Sequence, residues 1–284
     1  MSQIKTLKKL ANNSLTKVLA VTSGKGGVGK TNIIANLAYS LRKLGKKVLL
    51  LDADVGLGNI DVLLGLSPKY NISHVISGKK TLKEIIVKGP GNFDIIPASS
   101  GIQEVTNLKK NEKLILMEQI DEIGLNYDYF LIDTGAGIYD TVTFFCNAAQ
   151  EIFVVATPDP TSITDAYALM KVMNKKFGEN EFNLIVNFVK TEKEAMNVYA
   201  NLSLVLDRYL SVKLNFTGFV LNDTNLVKSV RNQKLICELF PESRATKCFK
   251  KISRYIDRMD FNIEKKGSLQ FFWSKLLGIW KWGC

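Results

Sequence analysis

Residues 24–31 read GKGGVGKT and fit the phosphate-binding pattern G-x-x-x-x-G-K-S/T. Gly24, Gly26, Gly27 and Gly29, with Val28 among them, let backbone N–H groups wrap a polyphosphate. Lys30 reaches the β/γ oxygens, and the Thr31 hydroxyl is the kind of ligand that holds Mg²⁺. Asn32 follows directly and is counted with this cradle. Three carboxylates complete a set that could do chemistry: Asp52 and Asp54, two residues apart, and Asp133. Phosphoryl transfer needs a hydroxyl or carboxylate on the metal and a water held in line. In this reading Asp133 and Asp52 serve the Mg²⁺ side, Asp52 through a metal-linked water, and Asp54 holds the attacking water. A lone aspartate is commonly a cap or turn former. Three of them behind apolar runs, in a chain with a phosphate cradle, point to catalysis instead.

These residues are placed by alternating elements. Apolar runs at Val18–Thr22, Val48–Leu51, Phe93–Ile96, Tyr129–Ile132, Ile152–Ala156, Leu184–Phe188 and Phe216–Leu221 read as strands. Helical spacing marks Thr31–Leu44, Glu112–Ile123, Ile163–Phe177, Glu192–Tyr209 and Arg244–Arg258. Unbroken apolar strands are buried on both faces, so the expected fold is α/β: a mostly parallel sheet with helices on both sides. Ligands of such sheets lie beyond the carboxyl ends of the strands. The glycine loop, Asp52 and Asp133 each follow a strand and should converge there.

Lys25 narrows the class. A second lysine after the first glycine resembles the deviant Walker A signature of the MinD/ParA/iron-protein ATPases. The segments SGKGGVGKTN, DADVGLGNID, DTGAGI and TPDPTSITDAYALMK are similar to it over roughly residues 18–260. Asn32, GLGNID and DTGAGI look most like its FlhG (FleN, YlxH) branch, the flagellar-number regulators. The resemblance implies a P-loop ATPase using ATP and Mg²⁺ whose slow hydrolysis times a binding state. It implies an ATP-bound homodimer in which Lys25 reaches the partner's nucleotide. It also implies partners among the FlhF GTPase, the flagellar switch complex proteins and a flagellar transcription regulator. Asn187 would contact adenine by the same resemblance, although a strand-end asparagine is equally a turn residue. The chain departs from the pattern at Leu221-Asn222-Asp223, where relatives often have a proline.

A hydrophobic fraction of 46% suits a packed protein, and the scattered Cys146, Cys237, Cys248 and Cys284 with the lone His74 support neither a disulfide framework nor a zinc site. Neither a secretory leader nor an 18-residue apolar run is read, so a cytoplasmic protein is expected. The formal charge of +11 is concentrated late in the chain, which points to an anionic partner. Residues 1–16 read as a leader, either a partner-docking helix or disordered, residues 17–262 as the ATPase domain, and residues 263–284 as a basic hinge and amphipathic helix. In that last segment Leu269, Phe272, Trp273, Leu276 and Trp280 share a helical face, with Leu277 beside them. All three tryptophans lie there, which favours peripheral attachment to the inner face of the cytoplasmic membrane. Packing on its own domain or in a partner's groove is the alternative. A division-site regulator of MinD type and a ParA-like DNA-partition module remain as competing functions. The aromatic tail argues against nucleic acid.

Overall fold

The computed structural model describes residues 16–54, 59–97, 118–119, 123 and 126–260. The eight strands among them are β1 (Lys17–Ser23), β2 (Val48–Ala53), β3 (Val87–Lys88), β4 (Asp94–Ile96), β5 (Tyr129–Ala136), β6 (Glu151–Ala156), β7 (Glu181–Val189) and β8 (Lys213–Leu221). They form one sheet in the order β3-β4-β2-β5-β1-β6-β7-β8. Every pairing is parallel except that of β3 with β4.

Alternation along each strand feeds two cores. Leu49, Leu51, Phe130 and Ile132 point to one face, and Val48, Leu50, Tyr129 and Leu131 to the other. The first face is covered by α5 (Asp140–Ala148), α6 (Pro160–Phe177) and α7 (Glu192–Tyr209), through Phe145, Leu169, Met173, Leu202 and Leu206. The second is covered by α1 (Lys30–Lys43), α9 (Ile236–Leu239) and α10 (Arg244–Arg258), through Ile34, Leu37, Leu41, Ile236, Phe249 and Ile252. The short helices α2 (Asn59–Leu64), α3 (Ile72–Ile76), α4 (Leu82–Ile85) and α8 (Thr224–Arg231) complete the described set. The doubly covered parallel sheet is the architecture expected from the apolar runs.

All seven expected strands are present. The two-residue β3 was not anticipated, since a pair of residues is too short to show a period. The helices from 31, 192 and 244 appear within a residue of their expected ends, and α6 begins earlier, at Pro160, where proline is favoured in a first turn. Thr191 caps α7 at the N–H of Glu194, and Ser243 caps α10 at that of Thr246. Of the helix expected over 112–123, only Glu118, Gln119 and Ile123 are described, and they are helical. The leader before Thr16 and the tail with Leu269, Phe272, Trp273, Leu276, Leu277 and Trp280 lie outside the described residues. No helix among the described residues is long and apolar enough to cross a membrane.

Two features of the connectivity position the site. The chain leaves β1 for β2 on one side and later places β6 on the other, so the strand order reverses at β1; such a switch point opens a crevice beyond the strand ends. Helix α10 runs against the strands. The N–H of Ala245 donates to Asp223 beyond the end of β8, while Tyr129 Oη at the start of β5 donates to Asp257. Because Leu50 is fully buried in the centre of β2, Leu50→Ala should cost about 2–5 kcal/mol in urea unfolding. The 66%-exposed Val62 of α2 serves as control, and Val62→Ala should stay within about 0.5 kcal/mol.

Candidate functional site

Residues 24–29 link β1 to α1 at the switch point. A Cβ on Gly24 would lie 2.1 Å from the backbone of Asp165 in α6, so only glycine lets the loop pass that helix. Gly27 and Gly29 have φ of 77° and 89°, the left-handed region that glycine adopts without strain. A Cβ on Gly26 would meet nothing within 4 Å, so this part of the loop faces open space. Val28 is buried, and its carbonyl accepts from Asn187 Nδ2 at 2.8 Å. Ser23 Oγ donates to the Lys25 carbonyl at 2.7 Å and closes the loop at its start.

The carboxylates gather behind this loop. Asp52 and Asp133 stand side by side in the register of β2 and β5, and Asp133 is also level with Val21 of β1. Asp133 is fully buried, and neither of its oxygens makes a well-formed hydrogen bond among the described residues. Burial, then the neighbouring Asp52, push its carboxyl well above the usual range; the Thr31 hydroxyl and the Lys30 ammonium only partly offset this. Asp52 is raised as well, by burial first, against the N–H groups of Ile60 and Asp54 that donate to it at 3.4 and 3.3 Å. Lys30 is buried and its pKa falls by desolvation, with Asp133 and Asp54 opposing. Asp54 is half-buried at the mouth. Lys30, Thr31, Asp52, Asp54 and Asp133 are thus brought together; β2 and β5 run past their expected ends, so Asp52 and Asp133 lie within the strands and not after them.

A buried carboxylate that lacks donors fits a cation. Oxygen ligands from Asp and Thr are the set that Mg²⁺ prefers, and the orphaned oxygens of Asp133 are the observation that makes the residues fit it. Thr31 and the two aspartates would hold the ion. Among the described residues no group of three or more histidine, cysteine, aspartate and glutamate side chains is gathered to hold a metal ion.

Lys25 is not with this group. Its Nζ lies 2.8 Å from Asp159 Oδ2 and also donates to Thr161 Oγ1, at the start of α6. Its side chain is 41% exposed. Beside the loop, the Gly137 N–H donates to the Ser23 carbonyl, and the next residues, Ile138 and Tyr139, are 52% and 73% exposed. An exposed cation and two exposed large apolar side chains therefore flank the cradle at one end of the sheet. The TPDPTSITD stretch was legible as a segment, but its pairing with Lys25 was not, because 134 residues separate the partners.

Asn187 lies in a bulge of β7 where the register with β8 shifts, and Phe188 after it takes a φ of 60°. This twist turns Asn187 onto the glycine loop, where it braces Val28; its Oδ1 is buried without a partner among the described residues. The departure at Leu221-Asn222-Asp223 also has a structural use. Asp223 caps α8 at the N–H of Asn225 and accepts from Ala245 at the start of α10. Asn32 is half-buried in the first turn of α1, where its carbonyl accepts from Asn36.

Comparison with known proteins shows the family and the fold. Residues 16–205 match the family model described as an AAA domain. The chain is 41% identical to the antiactivator FleN of Pseudomonas aeruginosa, over 95% of this chain and 97% of that one. It is 38% identical to the flagellum site-determining protein YlxH of Helicobacter pylori, over 92% of this chain and 90% of that one. Among solved structures, a chain of the MinC:MinD cell division protein complex of Aquifex aeolicus superposes with a TM-score of 0.69 at 28% identity, covering 89% of this chain and 100% of that one.

The glycines provide a test that separates packing from binding. Gly24→Ala must displace the Asp165 backbone and should lower stability by at least about 2 kcal/mol, within the range of overpacked sites. Gly26→Ala should unfold like the unaltered protein yet lose the rise in melting temperature that ATP produces. Equal melting of Gly24→Ala and the unaltered chain would contradict the packing observed.

Proposed function

Because the chain belongs to the MinD/ParA-type P-loop ATPases and within them groups with FleN and YlxH, we propose that it hydrolyses ATP to ADP to control flagellar number and placement. The observation that carries this reading is the near full-length match to two flagellar proteins, on a chain whose buried carboxylates stand behind a glycine cradle. The match to those proteins over 95% and 92% of this chain, where MinD relatives of comparable identity are matched over less of it, supports a flagellar role over a division-site one.

In this proposal Gly24, Gly26, Gly27, Val28, Gly29, Lys30, Thr31 and Asn32 bind the phosphates. Lys30 neutralises charge at the β/γ oxygens. Thr31, Asp52 and Asp133 hold Mg²⁺, which supplies charge neutralisation on the phosphates when bound. Asp54, at the mouth, orients the attacking water and accepts its proton. Asn187 braces the loop and offers its unpartnered Oδ1 toward adenine. Lys25 leaves Asp159 and Thr161 and reaches the nucleotide of a second copy; the exposed Ile138 and Tyr139 support an interface on the same end. Nucleotide then acts as the clasp of a homodimer.

The domain division supports a readout. Residues 1–16 form a leader suited to docking a partner, residues 17–262 the ATPase, and residues 263–284 a hinge and amphipathic segment. Leu269, Phe272, Trp273, Leu276, Leu277 and Trp280 enter the interface of the cytoplasmic membrane. A single such segment binds marginally, while two on one dimer gain by effective concentration. ATP therefore holds the protein at the membrane and hydrolysis returns it to the cytoplasm. FlhF, the switch complex and a flagellar transcription regulator are the partner set to which that state would be presented.

Two substitutions separate the lysines. Lys30→Ala should abolish ATP binding in calorimetry. Lys25→Ala should keep ATP affinity within about threefold and lower phosphate release by at least tenfold, on the order of one lost transition-state charge contact. Removal of the chain from its own cells should change the count or placement of flagella, and unchanged flagellation would contradict the cellular role.

A further inference from the structure

Helix α10 has a surface that the nucleotide site does not use. It carries Arg244, Lys247, Lys250, Lys251, Arg254 and Arg258 against one acid, Asp257. Its inward side is apolar, with Ala245, Cys248, Phe249, Ile252 and Ile256 buried. Asp257 faces the sheet, where it accepts from Tyr129 Oη and pairs with Lys46. Lys250 donates to the Pro241 carbonyl, and it and Lys247 each lie 3.7 Å from Glu242. Lys251, Arg254 and Arg258 are exposed and have no carboxylate partner among the described residues. The nearest acid in sequence beyond the helix is the exposed Asp260.

Lys247, Lys251, Arg254 and Arg258 recur at i, i+4, i+7 and i+11, so they line one helical face over roughly 16 Å. Like charges at this spacing repel one another, and the repulsion is relieved when an anionic surface lies along the row. Lys251, Arg254, Arg258, Tyr255 and Met259 also wall a shallow groove of about 470 Å³. The helix delivers the chain at Met259 to the amino-terminal edge of the sheet, where Lys17 Nζ reaches the Met259 carbonyl. Lys265 and Lys266 follow in sequence, and then the aromatic segment.

We propose that this outer face of α10 is a seat for anionic lipid headgroups, which holds the ATPase domain against the bilayer that the tail enters. The inference rests on the membrane reading above. A row of cations continuous in sequence with an aromatic amphipathic segment matches a charged interface with an apolar layer beneath it. A nucleic acid would use the cations but has no use for the Leu269, Phe272 and Trp273 face.

The test uses the full chain in Mg-ATP with two kinds of vesicle, phosphatidylcholine alone and phosphatidylcholine mixed with phosphatidylglycerol. Each cation beside an anionic membrane contributes about fivefold in binding. Combined Lys251→Glu, Arg254→Glu and Arg258→Glu should therefore weaken binding to anionic vesicles on the order of a hundredfold at low salt. Binding to neutral vesicles and phosphate release without vesicles should not change, and added salt should narrow the difference. Anionic-vesicle binding equal to that of the unaltered chain would overturn the proposal. So would loss of duplex DNA binding with vesicle binding intact, which would make the row a nucleic-acid surface. An unaltered chain that ignores both vesicle types would instead remove the membrane reading on which the proposal rests.

Discussion

Two carboxylates side by side inside a sheet are the constraint around which this molecule is arranged. Asp52 and Asp133 lie opposite each other in neighbouring strands, almost without solvent, and Asp133 has no well-formed hydrogen bond of its own among the described residues. Burying an unpaired charge is expensive unless a counter-charge arrives. The fold tolerates the pair because β2, β5 and β1 are held in a parallel sheet covered on both faces, and because Lys30 and Thr31 are brought in from the start of α1. A cation held by the two carboxylates would offset that cost.

The glycine loop is fixed from two sides. Gly24 passes within contact of the α6 backbone, and Asn187 of β7 holds the carbonyl of Val28. Both contacts come from the half of the sheet beyond β1, and Lys25 is tethered to the same half through Asp159. The cradle and the lysine thus share one support. The loop thereby touches α6, and the Ser23 carbonyl ties its start to Gly137 beside the exposed Ile138 and Tyr139.

Much of this was legible in the amino-acid order. The phosphate pattern, the strand–loop–helix context and the aspartates behind apolar runs placed Lys30, Thr31, Asp52 and Asp133 together, because parallel strands end at one edge. The two cores followed from alternation within runs buried on both faces. Other features were not legible for definable reasons. The β7 bulge at Asn187 and Phe188 depends on pairing with β8, which no local pattern records. The two-residue β3 and the helices α5 and α8 are too short to establish a period. The bond from Lys25 to Asp159 joins positions far apart in sequence, and only the folded loop reveals it.

The charge distribution extends the same logic outward. Asp52, Asp54 and Asp133 lie toward the carboxyl end of the sheet, while the cations of α10 line an outer face and lead to the amino-terminal edge. In the proposed function, nucleotide chemistry and surface attachment occupy different parts of one domain and are joined through dimer formation. The most direct measurement of that link is sedimentation velocity of the full chain in Mg-ATP and in Mg-ADP. The account predicts twice the monomer mass in Mg-ATP and monomer in Mg-ADP. The same species in both nucleotides would contradict it.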